Sequence, residues 1–149
     1  MGLVISPLAV RRSAFIRAAP TRVWKEFESY DAICGWLDSG HSVHVFEPSV
    51  GGTIDLSVEK GGPREHFGGE VLVWEPEREL SFEVHWHGTR ALPVPMFWTF
   101  RLTPLYEGTL VEIFHHGFER MGQRAADLLE GFEGGWDNHH LSALRSIVE

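Results

Sequence analysis

The middle of the chain is a succession of short stretches in which apolar and polar residues alternate, each ended by glycine or proline. Alternation with a period of two is typical of β-strands that bury one face. Because turn residues recur at short intervals, we expect an antiparallel meander of hairpins, preceded by one more strand at residues 10–17. The six strands of the meander are predicted at residues 42–47, 53–59, 64–74, 79–87, 96–103 and 109–116.

Helical patterns flank the predicted strands. Pro20 suits the first turn of a helix, and residues 21–30 carry one apolar stripe among charged side chains. Asp31 is placed to cap a second short helix. Residues 123–149 contain no proline and repeat apolar side chains at helical spacing, which predicts a long closing helix.

Glycines interrupt the pattern of the closing helix. Gly131, Gly134 and Gly135 stand inside it, and each costs about 1 kcal/mol relative to alanine in a helix interior. Either the helix approaches a sheet or a ligand closely there, or the segment is broken into two helices.

Composition and charge narrow the class of protein. The 149 residues fit one domain. The net charge of -8 argues against a nucleic-acid partner. The single cysteine, Cys34, excludes an intramolecular disulfide. We find no signal peptide and no run of about 18 apolar residues that could span a membrane, so we expect a soluble, cytoplasmic protein.

Aromatic residues are the unusual part of the composition. Ten Phe and six Trp stand against two Tyr, so most of the ring area has no hydroxyl and prefers apolar surroundings. Strand and helix periodicity places many of these rings between the sheet and the closing helix. The candidate residues for this space are Trp36 at the rim, Phe82, Val84, Trp86, Trp98, Phe100, Ile113, His115, Phe132, Trp136 and His140.

Five local motifs, in order along the chain, resemble one family. The motifs are AAPTRVW (18–24), GEVL (69–72) leading to EPEREL (75–80), TFRLTP (99–104), GTLV (108–111) leading to HHGF (115–118), and GGW (134–136). On these motifs the chain is similar to the START-like (SRPBCC, polyketide cyclase and birch-pollen-allergen-like) superfamily, and within it to the family named after the C-terminal domain of the activator of heat-shock-protein-90 ATPase.

The resemblance implies an α+β helix-grip fold, in which a curved antiparallel sheet of six or seven strands wraps around a long C-terminal helix. Residues 1–149 then form one domain, with residues 1–9 as a leader. It also implies an apolar cavity between sheet and helix, although a core filled by its own side chains is the alternative reading of the rings. The superfamily includes carriers, cyclases and aromatases, so the fold alone does not assign a function.

Polar candidates inside this space are few. His115 and His140 could each hydrogen-bond a ligand, and His115 is the one candidate for an acid or base. Arg12 shares its strand face with apolar residues, so we expect it either exposed at the sheet edge or facing inward, where it needs a counter-charge or an anionic group of a ligand. No catalytic motif or metal-ligand spacing occurs, and we expect no cofactor and no metal.

We therefore expect a protein that binds a small aromatic or lipid-like molecule, and the absence of a recognisable catalytic motif favours binding over catalysis without deciding between them. Two alternatives stay open. One is a cyclase or dehydratase that uses His115. The other is a chaperone-linked or regulatory protein partner, for which the outward Phe97, Leu110 and Phe114 are the candidate apolar patch. The oligomeric state and the ligand are left unassigned.

Overall fold

The alternating stretches form one curved antiparallel sheet, as the sequence predicts. In the computed structural model the strands are β1 (Ala9–Ile16), β2 (His41–Phe46), β3 (Thr53–Val58), β4 (Glu65–Glu75), β5 (Glu79–Val84), β6 (Met96–Leu105) and β7 (Gly108–His116). Their order across the sheet is β1-β7-β6-β5-β4-β3-β2. Every neighbouring pair is antiparallel. Register shifts in β2 and β4 mark bulges, which bend a sheet.

The structure describes residues 3–37, 41–58, 65–87, 91–133, 136 and 139–149, without the side chains of residues 30, 31, 34 and 41. The turn expected at residues 61–63 and the pair Gly134 and Gly135 lie outside this part of the chain, as does the side chain of Cys34.

Two short helices follow β1, and both differ in detail from expectation. Helix α1 (Pro20–Trp24) ends well before residue 30, and Phe27, which follows it, is fully buried. Helix α2 is Tyr30–Leu37. Its cap is Ser29, whose Oγ accepts a hydrogen bond from the Ala32 N–H at 3.2 Å. Asp31 is therefore inside the first turn and is not the cap.

The C-terminal helical region is divided. A 3₁₀ helix (Phe118–Arg124) leads into α3 (Ala125–Glu133), and α4 (His139–Val148) follows. This matches the alternative of a break between two helices. Gly117 makes the turn out of β7 with a φ of 96°, and a Cβ there would lie 2.9 Å from a ring carbon of Phe97, so both conformation and space require glycine.

Both C-terminal helices border the inner side of the sheet. Helices α3 and α4 contact β1, and α4 also contacts α2. The helices and the inner face of the sheet bury one continuous apolar core. No helix in the described part of the chain is long and apolar enough to cross a membrane.

The outer face of the sheet does not carry the exposed apolar patch expected from Phe97, Leu110 and Phe114. Phe114 is only 8% exposed. The guanidinium carbons of Arg11 and Arg101 lie 5.5 Å from its ring centroid, and the N-terminal residues lie over the same face. Phe97 and Leu110 are half-buried.

Candidate functional site

The inner face of the sheet brings side chains of neighbouring strands into rows. The registers pair Phe82 with Trp98 and Trp98 with His115, so one residue each from β5, β6 and β7 lie side by side. One row further on, Phe100 pairs with Ile113. All five side chains are at most 4% exposed. Strand alternation therefore places these five candidate residues on one buried surface.

Trp98 is at the centre of the ring contacts. Its ring centroid lies 4.9 Å from that of Trp136 in an edge-to-face arrangement and 5.2 Å from that of Phe67. Phe67 in turn stacks on Trp86, with centroids 4.2 Å apart. The sequence analysis did not identify Phe67. The signal that could have found it is its spacing of four residues from Val71, which puts both on one face of β4.

His115 is held in one protonation state by its surroundings. It is 1% exposed, and its Nδ1 accepts a hydrogen bond from Trp136 Nε1 at 3.1 Å. Burial, with a smaller contribution from the charge of His116, lowers the His115 pKa to about 3. The ring is therefore neutral near pH 7. Since Nδ1 is an acceptor, the ring proton is on Nε2, which makes Nε2 a donor.

Trp98 Nε1 and His115 Nε2 are buried N–H groups for which the described residues provide no hydrogen-bond partner. The two ring centroids are 6.1 Å apart. An unsatisfied buried donor costs about 1–3 kcal/mol. These two N–H groups lie within an otherwise apolar surface and are suited to a hydrogen-bond acceptor such as a carbonyl oxygen.

Arg12 positions the backbone that carries Trp136. It belongs to the inner face of the edge strand β1, where it pairs with Ile113. Its Nε and Nη2 donate to the Trp136 carbonyl at 3.0 and 2.7 Å, and its Nη1 contacts the Glu133 carboxylate at 2.9 Å. The Glu133 carboxylate is therefore the counter-charge expected for an inward-facing guanidinium. This arrangement holds the Trp136 carbonyl against β1.

Phe132 forms the boundary of the site towards solvent. It is half-buried, and its ring centroid lies 4.6 Å from that of His115 and 6.3 Å from that of Trp86. It lies in the last turns of α3 and, together with Phe118 and Trp136, surrounds the His115 ring.

Trp36 is not at a rim, contrary to expectation. It is fully buried, its Nε1 donates to the Glu26 carbonyl at 2.9 Å, and its ring lies 5.2 Å from Phe27 and 5.5 Å from Phe100. The reason is the early end of α1, which turns Phe27 inward and covers the indole. Trp36 belongs to the far end of the core, away from His115.

The structure thus divides the candidate residues into two groups. Phe100, Ile113 and Trp36 lie at or towards the end of the core near α2. The remaining candidates are buried, apart from Phe132. The residues that contribute the two donors or lie near them are Trp86, Trp98, His115, Phe132, Trp136 and His140. Phe82 contacts Trp98, and the buried Val84 stands two residues before Trp86.

Histidines elsewhere do not assemble into a larger site. The rings of His44 and His66 are 5.0 Å apart, and His66 Nδ1 is 3.5 Å from an Asp55 oxygen. The rings of His85 and His87 are 5.1 Å apart. Within the described ranges, no group of three or more His, Cys, Asp or Glu side chains is placed to hold a metal ion.

Comparisons with known proteins agree with this architecture. Residues 17–149 match the family model described as Activator of Hsp90 ATPase homolog 1-like protein. A crystal structure of a Chromobacterium violaceum protein is 26% identical, with a TM-score of 0.78 over 97% of this chain and 99% of that one. No curated protein matches this chain.

Two more distant structures share the fold. One is the Aha1 dimer from Colwellia psychrerythraea, with 17% identity and a TM-score of 0.63 over 95% of this chain and 96% of that chain. The other is DynU16, a protein of the dynemicin biosynthetic locus, with 19% identity and a TM-score of 0.66 over 95% of this chain and 47% of that chain. The family match covers most of the chain, and the sheet and C-terminal helices have the helix-grip arrangement of these structures. The chain therefore belongs to the Activator of Hsp90 ATPase homolog 1-like protein family, within the START-like superfamily.

Proposed function

We propose that this protein binds a small, flat, largely apolar molecule between the sheet and the C-terminal helices, and that the ligand carries a neutral hydrogen-bond acceptor. The observation that carries the proposal is the pair of buried donors without partners, Trp98 Nε1 and His115 Nε2. One acceptor oxygen with two lone pairs can take a hydrogen bond from each donor and remove the cost of leaving them unsatisfied.

The surroundings of the donors support a flat and uncharged ligand. The neighbouring side chains are aromatic, with Trp136, Phe132 and Phe67 in ring contact with Trp98 or His115. Such walls suit planar apolar molecules with one or two polar groups. The nearby guanidinium of Arg12 is already paired with Glu133, so this cation does not offset the cost of burying an anion. A planar ketone is the simplest molecule with this chemistry.

The same geometry favours binding over acid–base catalysis by His115. A general base near neutral pH needs a free ring nitrogen and a pKa close to the working pH. Here Nδ1 already accepts the Trp136 N–H, Nε2 carries the proton, and burial lowers the pKa to about 3. His115 is suited to donate a hydrogen bond to a bound oxygen.

A matched set of three tricyclic probes tests the proposal. Fluorenone has a carbonyl oxygen, fluorene lacks it, and carbazole has an N–H in its place. We expect fluorenone to bind about tenfold or more tightly than the other two, since two hydrogen bonds of about 0.5–1.5 kcal/mol each separate them. Quenching of tryptophan fluorescence and the rise in melting temperature give the affinities.

The control is Trp98→Phe, which keeps an aromatic ring and removes one donor. This variant should lose part of the preference for fluorenone while binding fluorene as before. Equal binding of fluorenone and fluorene to the unaltered chain, or no binding of any of the three, would contradict the proposal.

A further inference from the structure

The outer face of the sheet carries buried polar side chains, although an outward face normally meets water. Glu79 is 4% exposed, Ser81 and Thr99 are fully buried, and His116 is 3% exposed. They lie across β5, β6 and β7 on the side opposite His115. None of them belongs to the ligand site proposed above.

These side chains form one hydrogen-bonded chain. Ser81 Oγ donates to Glu79 Oε2 at 2.8 Å and lies 2.9 Å from Thr99 Oγ1, which lies 2.7 Å from His116 Nε2. Glu79 Oε1 accepts a hydrogen bond from Arg101 Nε at 2.5 Å. A buried carboxylate with this many partners is fixed in orientation.

The chain's own N-terminal segment, residues 3–7, is held by this arrangement. The N–H of Leu3 donates to Glu79 Oε2 at 3.2 Å, and the carbonyl of Leu3 accepts from Arg101 Nη2. The Glu79–Arg101 ion pair therefore hydrogen-bonds to both the N–H and the C=O of Leu3. Backbone recognition of this kind does not depend on which side chain stands at that position, except that proline has no N–H to donate.

The segment is held at Leu3 and by a hydrogen bond from Ser6 Oγ to Glu119 Oε1 at 3.2 Å, but it fits the face loosely. Val4 is 95% exposed and Leu8 is 38% exposed. A cavity of about 540 Å³ lies between residues 3–7 and the side chains of Arg11, Arg101 and Phe114. The segment therefore buries few apolar side chains, and a better-fitting segment would gain contacts that this one lacks.

We propose that this outer face is a peptide-docking site, that residues 3–7 are its displaceable occupant, and that its partner is an extended, uncharged, apolar segment of another protein. The two cations at the site are each paired, Arg101 with Glu79 and Arg11 with Glu112, so a charged peptide gains nothing there. Apolar side chains of the partner fill the cavity beside Phe114, while its backbone N–H and C=O replace those of Leu3. The cis segment competes with the partner and lowers its apparent affinity.

The test uses the whole 149-residue chain with Leu3→Pro, which removes the Leu3 N–H without changing any strand. The probe is a fluorescein-labelled peptide with the sequence of residues 2–8, GLVISPL, followed by fluorescence anisotropy. We expect the Leu3→Pro chain to bind the peptide at least about tenfold more tightly than the unaltered chain, because a hydrogen bond to a charged acceptor no longer holds the competing segment.

Leu3→Ala is the matched control, since it shortens the same side chain and keeps the N–H. It should change peptide affinity by much less than Leu3→Pro. A peptide with proline in place of its leucine at the second position should not bind either variant. A peptide with tryptophan in place of valine should bind more tightly than the parent, because its larger ring occupies the cavity.

A second measurement uses the unaltered chain and does not depend on the folding of any variant. Excess tryptophan-containing peptide should remove the hydrogen-exchange protection of the Leu3 amide in the unaltered chain. Equal peptide binding by Leu3→Pro and unaltered chains would overturn the proposal, as would equal binding of the proline peptide. A concentration-dependent dimer that blocks the peptide would assign the site to a second copy and overturn the partner named here.

Discussion

At the scale of single residues, His115 and His116 are adjacent on β7, so their side chains lie on opposite faces of the sheet and have different partners. The side chain of His115 points inward and accepts the Trp136 N–H, while that of His116 points outward and contacts Thr99. The sequence places both rings by alternation. It could not reveal that the Trp136 indole fixes the His115 tautomer, because that contact joins positions 21 residues apart.

The tautomer leads to a prediction about ligand preference. Trp136→Phe keeps an aromatic ring and removes the N–H that His115 Nδ1 accepts. The imidazole proton is then free to move to Nδ1, so that Nε2 becomes an acceptor. We expect carbazole to gain affinity relative to fluorenone by several-fold in this variant, measured by fluorescence titration. The same order of the two probes in both proteins would show that Trp136 does not set the polarity of the site.

At the scale of elements, the break between α3 and α4 is part of the site. A continuous helix would hide its backbone carbonyls in its own hydrogen bonds, whereas here the Trp136 carbonyl is available to Arg12. The edge strand β1 thereby fixes the position of the C-terminal helices. The glycines of this segment indicate the break from the sequence alone. Arg12, which binds the Trp136 carbonyl there, is more than a hundred positions away in the sequence.

This dependence predicts unequal effects of two neighbouring arginines. Arg12→Gln removes two hydrogen bonds to the Trp136 carbonyl and the contact with Glu133, so we expect a loss of about 1–3 kcal/mol in the free energy of unfolding. Arg11→Gln breaks an ion pair whose arginine side chain is 60% exposed, for which we expect less than about 1 kcal/mol. Urea denaturation of both variants gives the comparison, and equal losses would argue against a positioning role for Arg12.

At the scale of the whole molecule, the sheet separates two polar systems that face opposite ways. One contains the unpartnered donors on the inner face, and the other is the satisfied chain from Glu79 to His116 on the outer face. Each system contains a buried neutral histidine. Burial lowers the pKa of His115 to about 3 and, against the opposing charge of Glu119, that of His116 to about 4.

These shifts predict that acid destabilises the fold well before most carboxylates titrate. Since the unfolded chain protonates these histidines near pH 6.5 and the folded chain does not, stability is fully present above pH 6.5 and falls as the pH drops towards 4. Between pH 7.5 and pH 5 we expect His115 alone to account for a loss of about 2 kcal/mol in the free energy of unfolding.

The measurement is urea denaturation at several pH values. His115→Gln should reduce the dependence between pH 7 and pH 5 by about half, whatever its effect on overall stability, because His116 supplies a similar part. His87→Gln, at an exposed position, is the control and should retain the slope of the unaltered chain. An unchanged slope in His115→Gln would mean that other groups cause the acid sensitivity.

The sequence by itself determined the strands, their antiparallel succession and most of the buried face. Alternation and turn residues are local signals that can be read from the sequence. Because one face of the sheet must be buried, the alternation also fixes the register in which the strands pair. It also determined the family resemblance, which the match over residues 17–149 confirms.

Only the tertiary structure decided how the polar groups are used. The break that places Trp136, the burial of Trp36 behind Phe27 and the covering of Phe114 by the N-terminal residues all depend on partners distant in sequence. The physical reason is that local periodicity states which face of an element avoids water, whereas hydrogen-bond partners are set by which elements the folded chain brings within about 3 Å of each other.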